Sequence, residues 1–240
     1  MTTEHIVSSF DEDLKRLDNI IAEMGGLVET QLADAIDAMV RRDSQLAKRV
    51  IETDRRIDKQ EREADELAVR MLALRQPMAN DLRIVITALK TSGIIERIGD
   101  YAKNIAKRSV ALSQTSPMGP SKTIARMGAQ VQTMIKDVLD AYVTRDAEKA
   151  ANVRERDSEI DLLHTSLFRE ILTYMMEDPR NISSCTHLLF VAKNIERIGD
   201  HATNIAENVH FLVHGNSPME KRITDDGSSY TVVEQGDLEQ

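Results

Sequence analysis

Carboxylates spaced four residues apart are the side chains in this sequence best suited to chemistry. Five such pairs stand out, and they contain these acidic residues: Asp54/Asp58, Glu61/Asp65, Glu96/Asp100, Asp157/Asp161 and Glu196/Asp200. Residues i and i+4 are neighbours on one face of a helix, so each pair of like charges costs a few tenths of a kcal/mol. This repulsion indicates that something cationic compensates it.

Two kinds of cation fit the pattern. Arginine and lysine side chains of neighbouring helices would pair the carboxylates on a solvated acidic face. A metal ion would be held by carboxylates from two adjacent helices, and we favour it because both acids of the Glu96/Asp100 pair recur one hundred residues later. Ligation by oxygen alone suits Mg, Ca, Mn or Fe better than a structural zinc. His164 continues the fourth pair three residues on and is a further candidate ligand.

Catalysis is disfavoured by what surrounds these acids. A di-iron oxidase of the ferritin type needs a Glu-x-x-His pair at each metal, so that imidazole completes the ligand shell. Three residues after Glu96 and Glu196 stand Gly99 and Gly199 instead. The sequence lacks a glycine-rich phosphate loop, and its single cysteine, Cys185, is expected to be a small packed residue. We therefore expect a protein that is not an enzyme.

The acids belong to an internal duplication. Ile95–Asp100 is repeated letter for letter as Ile195–Asp200. Earlier in each half, Arg42-Asp43 matches Arg145-Asp146 at the slightly larger offset of 103 residues. The repeat therefore covers most of each half and predicts two homologous units.

Apolar residues recur at steps of three or four along most of the chain, which predicts helices. Together with the prolines, glycines and N-cap residues that interrupt it, the pattern predicts six helices. Their expected ranges are about 3–40, Asp43 or Ser44 to Pro77, about 79–112, 124–141, Asp146 to Pro179, and about 183–213. We expect an all-α fold of two tandem antiparallel three-helix bundles. The predicted units are the first bundle, a linker, the second bundle and a disordered acidic tail, over 1–113, 114–121, 122–214 and 215–240.

The third predicted helix has two different faces. At 100° per residue, Glu96 and Asp100 lie about 160° from Ile98, outside the main apolar seam. Gly99, in mid-helix, costs about 1 kcal/mol relative to alanine, so we expect it to mark the close approach of another helix. Gly25-Gly26 in the first helix predicts either a bend or a close backbone approach.

Composition and charge exclude other classes of function. A chain with 41% hydrophobic but only 3% aromatic residues builds an aliphatic core, which suits packed helices. The formal net charge of −9 argues against binding to nucleic acid. The N-terminus lacks a signal sequence and no segment is apolar enough to cross a bilayer, so we expect a soluble, cytoplasmic protein without direct membrane insertion.

Several motifs carry a resemblance to a known family. They are Met24-Gly25-Gly26, Arg75-Gln76-Pro77 followed by Asp81-Leu82-Arg83, the two Ile-Glu-Arg-Ile-Gly-Asp copies, and Thr173-Tyr174-Met175-Met176-Glu177-Asp178. With them, the chain resembles the PhoU family of bacterial phosphate-signalling regulators over residues 5–213.

The resemblance implies a non-enzymatic negative regulator of phosphate uptake and of the phosphate-starvation (Pho regulon) response. Its implied partners are the PstB-like ATPase subunit of a phosphate ABC transporter, a PhoR-like sensor histidine kinase, and a second copy of the chain in a homodimer. Recruitment by these partners would bring the protein to the inner membrane face. The rival hypothesis is a helical structural scaffold without metal.

The resemblance also implies metal binding, because some members of the family hold iron or zinc clusters through Glu/Asp-x-x-x-Asp pairs. On this chain the matching pairs are Asp54/Asp58 and Glu96/Asp100 in the first half, and Asp157/Asp161 and Glu196/Asp200 in the second. Glu61/Asp65 has no acidic counterpart, since the aligned residues are His164 and Phe168. Fe, Zn, Mg, Mn and Ca are all compatible with these pairs.

Overall fold

The computed structural model describes residues 3–216, and their side chains from residue 10 onward. This part of the chain forms six α-helices and a short 3-10 turn at Pro179–Asn181. The helices are α1 (Thr3–Arg41), α2 (Ser44–Arg75), α3 (Ala79–Leu112), α4 (Pro120–Thr144), α5 (Ala147–Glu177) and α6 (Ile182–His214). The predicted tail lies, from residue 217 on, outside the described residues.

Capping side chains set the helix boundaries at the matched positions of the two halves. The Asp43 carboxylate accepts hydrogen bonds of 2.9 Å from the backbone N–H groups of Gln45 and Leu46, which opens α2. Asp146 opens α5 in the same way, accepting from the backbone N–H of Lys149. These groups have no partner within the helix, so a side-chain acceptor there is stabilising. At the far end of α6, Gly215 adopts a left-handed conformation with φ of 79° and ends the helix.

The helices pack as two three-helix bundles, so the predicted fold class is confirmed. Helices α1, α2 and α3 form the first bundle, and α4, α5 and α6 form the second. The bundles also join, because α3 packs against α6 and α1 packs against α4. One continuous apolar core runs through both bundles and is built mainly from Leu, Ile, Val, Met and Ala side chains. As a result, α3 side chains that do not face α1 or α2 can contact α6.

Contacts between α3 and α6 show that these two helices run antiparallel. The Asn208 side-chain amide donates to the Thr91 hydroxyl at 3.4 Å, and the Arg108 guanidinium lies 4.0 Å from the ring centre of Phe190. In both contacts, a residue late in one helix meets a residue early in the other. Tyr101 and His201, which are equivalent in the duplication, stack on each other with ring centres 5.5 Å apart. A local twofold axis therefore passes between these two rings.

Glycines allow the two bundles to approach closely along α1 and α4. Helix α1 continues through Gly25-Gly26, and a Cβ on Gly25 would lie 3.2 Å from the Leu139 side chain of α4. What approaches Gly25 closely is therefore a side chain of α4, whereas the prediction was a bend or a close backbone approach. In the reciprocal contact between these two helices, a Cβ on Gly128 of α4 would lie 2.5 Å from Cδ1 of Ile36 on α1.

The connection between the bundles is shorter than the predicted linker of 114–121. Helix α4 already begins at Pro120, because a proline in the first helical turn loses no hydrogen bond and has a favourable φ. Between residues 3 and 216, none of the helices is long and apolar enough to cross a membrane.

Candidate metal and counter-ion site

The predicted acids gather on two helix pairs. The first acidic cluster comprises Asp54, Asp58, Glu61 and Asp65 of α2 with Glu96 and Asp100 of α3. The second acidic cluster comprises Asp157 and Asp161 of α5 with Glu196 and Asp200 of α6. Since α2 packs on α3 and α5 packs on α6, each cluster lies along the seam between two helices of one bundle.

Asp54 lies at the buried end of the first acidic cluster, where a lysine compensates its charge. Its side chain is only 5% exposed. The ammonium nitrogen of Lys103 lies 2.5 Å from Oδ2 of Asp54 and 2.5 Å from Oδ1 of Asp100, so it bridges α2 and α3. Gln31 of α1, also buried, donates from Nε2 to Oδ1 of Asp54 at 3.2 Å. A single buried carboxylate thus ties together all three helices of the first bundle.

The pKa of Lys103 reflects this position. Burial alone would lower the pKa of the amine, because it disfavours the charged form. The hydrogen bonds and the negative charges of Asp100 and Asp54 outweigh burial, so the pKa is raised above its ordinary value. Lys103 is therefore a fixed positive charge at neutral pH.

Glu61 and Glu96 of the first cluster keep the repulsion between neighbouring acids that the sequence predicts. Burial, and then the charge of Asp65, raise the pKa of Glu61. Burial, and then the charge of Asp100, raise the pKa of Glu96. Burial also raises the pKa of Asp65. Negative charge at these positions is thus less favourable in the folded chain than in water.

The second acidic cluster is more deeply buried than the first. Asp157, Asp161 and Glu196 are each at most 4% exposed, and so is His164, which replaces Glu61. The lysine of the second cluster binds a different acid from the lysine of the first. Lys193 donates to Oε1 of Glu196 at 2.9 Å. In the repeat, Lys193 corresponds to Gly93, and Lys103 corresponds to Thr203. The two clusters therefore share four acids at matched positions. Lys103 follows Asp100 by three residues, whereas Lys193 precedes Glu196 by three.

The glycines of the repeated hexapeptide bring α2 and α5 close to the motif, as the sequence predicts. A Cβ on Gly99 would lie 3.1 Å from Cδ1 of Ile57 and 3.7 Å from Oδ1 of Asp54. A Cβ on Gly199 would lie 3.3 Å from Oδ1 of Asp157. The missing side chains therefore make room for a buried carboxylate in each bundle.

The predicted ligands do not form a ready metal centre. Among the described residues, no group of three or more His, Cys, Asp or Glu side chains is arranged to hold a metal ion. The donors on the two seams are mainly carboxylate oxygens, which is the chemistry that Mg, Ca, Mn and Fe prefer. At Asp54 and Asp100, however, the ammonium of Lys103 takes the place between the oxygens. The assignment of all ten acids as ligands stays a prediction.

Sequence reasoning missed the side chains that meet these acids. Lys103 follows Asp100 by three residues, so helical spacing could have paired them, although its second partner on α2 leaves no signal in the sequence. Gln31 comes from a third helix and had no such signal. Both residues were overlooked because contacts across helices depend on packing rather than on spacing.

The two bundles can be compared with known proteins. A model of the PhoU domain matches residues 21–109 and again residues 124–209, one match in each bundle. The chain belongs to the PhoU family. The resemblance predicted from the sequence motifs is therefore confirmed, and so is the absence of enzymatic activity, since the family consists of non-enzymatic regulators.

Curated relatives match the PhoU-type chain over nearly its full length. The phosphate-specific transport system accessory protein PhoU homolog of Caulobacter vibrioides is 52% identical over 221 residues, which covers 92% of this chain and 96% of the relative. The homolog of the same name from Rhizobium meliloti is 49% identical over 230 residues, covering 95% and 97%. The duplication is thus part of the relatives' architecture as well.

Solved structures agree with the two-bundle fold. The crystal structure of PhoU from Pseudomonas aeruginosa has a TM-score of 0.84 and 43% identity, covering 86% of this chain and 100% of that one. The phosphate transport system regulatory protein PhoU from Streptococcus pneumoniae has a TM-score of 0.81 at 29% identity, covering 87% and 99%. The same six-helix arrangement therefore persists at much lower sequence identity.

Proposed function

We propose that this PhoU-type protein is a cytoplasmic negative regulator of phosphate uptake and of the phosphate-starvation response. The observation that carries the proposal is the match of both bundles, end to end, to a PhoU crystal structure and to curated PhoU homologs named as accessory proteins of phosphate transport. A helical protein of this family acts by contact rather than by catalysis. Its partners would be the ATPase subunit of the phosphate ABC transporter and a sensor histidine kinase, which would recruit it to the inner membrane face.

Metal binding is a second part of the proposal, and the second acidic cluster supports it best. There, Asp157, Asp161, Glu196 and Asp200 would hold a cation with carboxylate oxygens. A bound cation would supply positive charge, which neutralises the buried carboxylates. By holding α5 and α6 together, these residues would fix the angle at which the bundle presents its outer helix faces to a partner.

A metal-free helical scaffold is the alternative, and one observation favours it. Each acidic cluster contains a lysine at hydrogen-bond distance, Lys103 in the first and Lys193 in the second. Ammonium groups can compensate carboxylates without any metal. The two hypotheses differ in whether stoichiometric metal is present in the protein.

Partner capture in cells tests the regulatory role. The tagged natural chain is expressed in a strain lacking its own copy, and a reporter of the phosphate-starvation response is measured in phosphate-rich medium. We expect repression of the reporter, and co-purification of the transporter ATPase and the sensor kinase with the tag. A reporter that stays induced, with neither protein captured, would contradict the proposal.

Paired alanine substitutions test the metal. Glu96→Ala/Asp100→Ala and Glu196→Ala/Asp200→Ala are compared with Glu155→Ala/Glu159→Ala, a pair of the same spacing and charge whose side chains are exposed on α5. We expect the Glu196/Asp200 change to lower both the metal content, measured by elemental analysis, and repression, while the control changes neither. If metal content and repression survive both motif changes, the carboxylates are ordinary charged residues and do not hold the metal. The metal-free scaffold is correct if the natural protein contains no stoichiometric metal.

A further inference from the structure

The Lys103 ammonium lies between two carboxylates from different helices of the first bundle. Its nitrogen is 2.5 Å from a carboxylate oxygen of α2 and 2.5 Å from one of α3, and its side chain is 21% exposed. Two oxygens from different helices that converge on one cation are also the beginning of a ligand shell for a hard divalent ion. An ammonium group and such an ion would therefore compete for the same space.

A third oxygen lies beside Gly99, on the Oδ1 side of the Asp54 carboxylate. Oε1 of Gln31 is buried and accepts no hydrogen bond from the described residues, although Nε2 of the same amide donates to Asp54. This Oε1 and Oδ1 of Asp54 lie 3.1 Å and 3.7 Å from the position that a Cβ on Gly99 would occupy. An unsatisfied buried carbonyl is costly and is the kind of neutral ligand that hard cations accept. The first bundle thus contains a buried oxygen near Asp54 that Lys103 does not satisfy.

The second bundle lacks both partners of Asp54. At the matched positions, Gln31 is replaced by Met134 and Lys103 by Thr203, while the aspartate remains as Asp157. Thr203 is buried and donates its hydroxyl to the backbone carbonyl of Asp200 rather than supplying a charge. The duplication thus contains a natural version of the seam in which threonine stands at the lysine position.

We infer that Lys103 is a built-in counter-ion, which keeps divalent metal out of the Asp54–Asp100 pair and makes the first bundle independent of metal at this point. Replacing it by the threonine of the second bundle opens the pair to one hard divalent cation. The inference deepens the metal-binding part of the proposed function, because it assigns the two bundles different cations. It does not depend on the regulatory partners.

Manganese binding to the purified full-length chain tests the inference. After removal of metals with a chelator, Mn²⁺ is titrated into the natural protein, into Lys103→Thr and into Lys107→Thr, and bound Mn²⁺ is counted by electron paramagnetic resonance. Lys107 is the matched control, because it is exposed one turn further along α3 and the change removes the same charge. We expect one additional Mn²⁺ per chain in Lys103→Thr only, together with an upward shift of its unfolding temperature on adding Mn²⁺.

A second substitution locates the additional ion. Adding Asp54→Asn to Lys103→Thr removes a ligand and should return the Mn²⁺ count to that of the natural protein. Equal Mn²⁺ counts in Lys103→Thr and the natural chain would overturn the inference, as would a natural chain that loses one Mn²⁺ on Asp54→Asn. If Lys103→Thr does not fold without metal, refolding on adding Mn²⁺ supports the inference, and failure to refold contradicts it. A failed regulatory role would instead appear in the partner-capture experiment, which uses the unsubstituted protein.

Discussion

Substitution of Gly128 by alanine tests how tightly the two bundles are joined. A Cβ at this position of α4 would lie 2.5 Å from Cδ1 and 3.1 Å from Cγ1 of Ile36, a buried residue of α1. Carbon atoms in good contact are about 3.5–4.0 Å apart, so the isoleucine would have to move by roughly 1 Å. Because two atoms of the side chain are too close, rotation of its terminal methyl alone does not relieve the overlap.

The magnitude follows from two opposing effects. Overpacking a well-filled core costs about 1–3 kcal/mol, whereas replacing a mid-helix glycine by alanine gains about 1 kcal/mol. We therefore expect Gly128→Ala to destabilise the protein by up to about 2 kcal/mol. Gly26→Ala in α1 is the matched control, since a Cβ there meets nothing within 4 Å and only the gain remains. The difference between the two variants isolates the packing cost.

Urea unfolding followed by far-ultraviolet circular dichroism measures this difference. The Gly128→Ala midpoint should fall and the Gly26→Ala midpoint should rise relative to the natural protein. Ile36→Val removes the clashing methyl group, so adding it to Gly128→Ala should recover stability although it costs about 0.5–1.5 kcal/mol alone. If Gly128→Ala unfolds at the same urea concentration as Gly26→Ala, the contact between α1 and α4 is looser than described.

Other predictions concern single side chains. Burial, and then the charge of Asp140, raise the pKa of the Glu29 carboxyl, so the folded chain binds this proton more tightly than the unfolded chain and stability falls as pH rises through the raised pKa. Glu29→Gln should therefore stabilise the protein by a few tenths of a kcal/mol at neutral pH and have no effect well below pH 4.5. Urea midpoints measured across pH check this. Arg108→Ala should cost about 0.5–1 kcal/mol through its contact with Phe190, and a double-mutant cycle with Phe190→Leu should show the coupling. Burial raises the pKa of the Cys185 thiol, so iodoacetamide should modify it far more slowly in the native protein than in urea, and equal rates would show that the thiol is accessible.

Helix positions were predictable because local signals determine them. A capping side chain or a proline acts within a few residues of its own position in the chain. In the structure, Asp43 and Asp146 cap α2 and α5, and α2 ends just before Pro77. The duplication then supplied the grouping into two bundles. Periodicity could not show that α3 meets α6, since contact between the halves depends on the whole surface of each helix.

Burial of the acids was the main feature that the sequence did not reveal. Placing Glu96 and Asp100 opposite Ile98 correctly separated them from the main seam. That side of α3 lies along the contact with α2, where the two side chains are only 24% and 31% exposed. A helix packed on three neighbours has more than one contact face, and a helical-wheel projection based on one apolar stripe describes only one of them. The same limitation hid the role of Lys103, whose second partner belongs to another helix.

The stacking of Tyr101 on His201 has an evolutionary consequence. In an assembly of two identical chains, a residue on the twofold axis faces its own copy, so each substitution changes both sides at once. Joining the copies into one polypeptide removes this restriction, and the two sides can diverge separately, as tyrosine and histidine have done here. Divergence also placed a lysine at 103 and a threonine at 203. The chain is thus a duplicated pair of bundles whose halves can differ at equivalent positions.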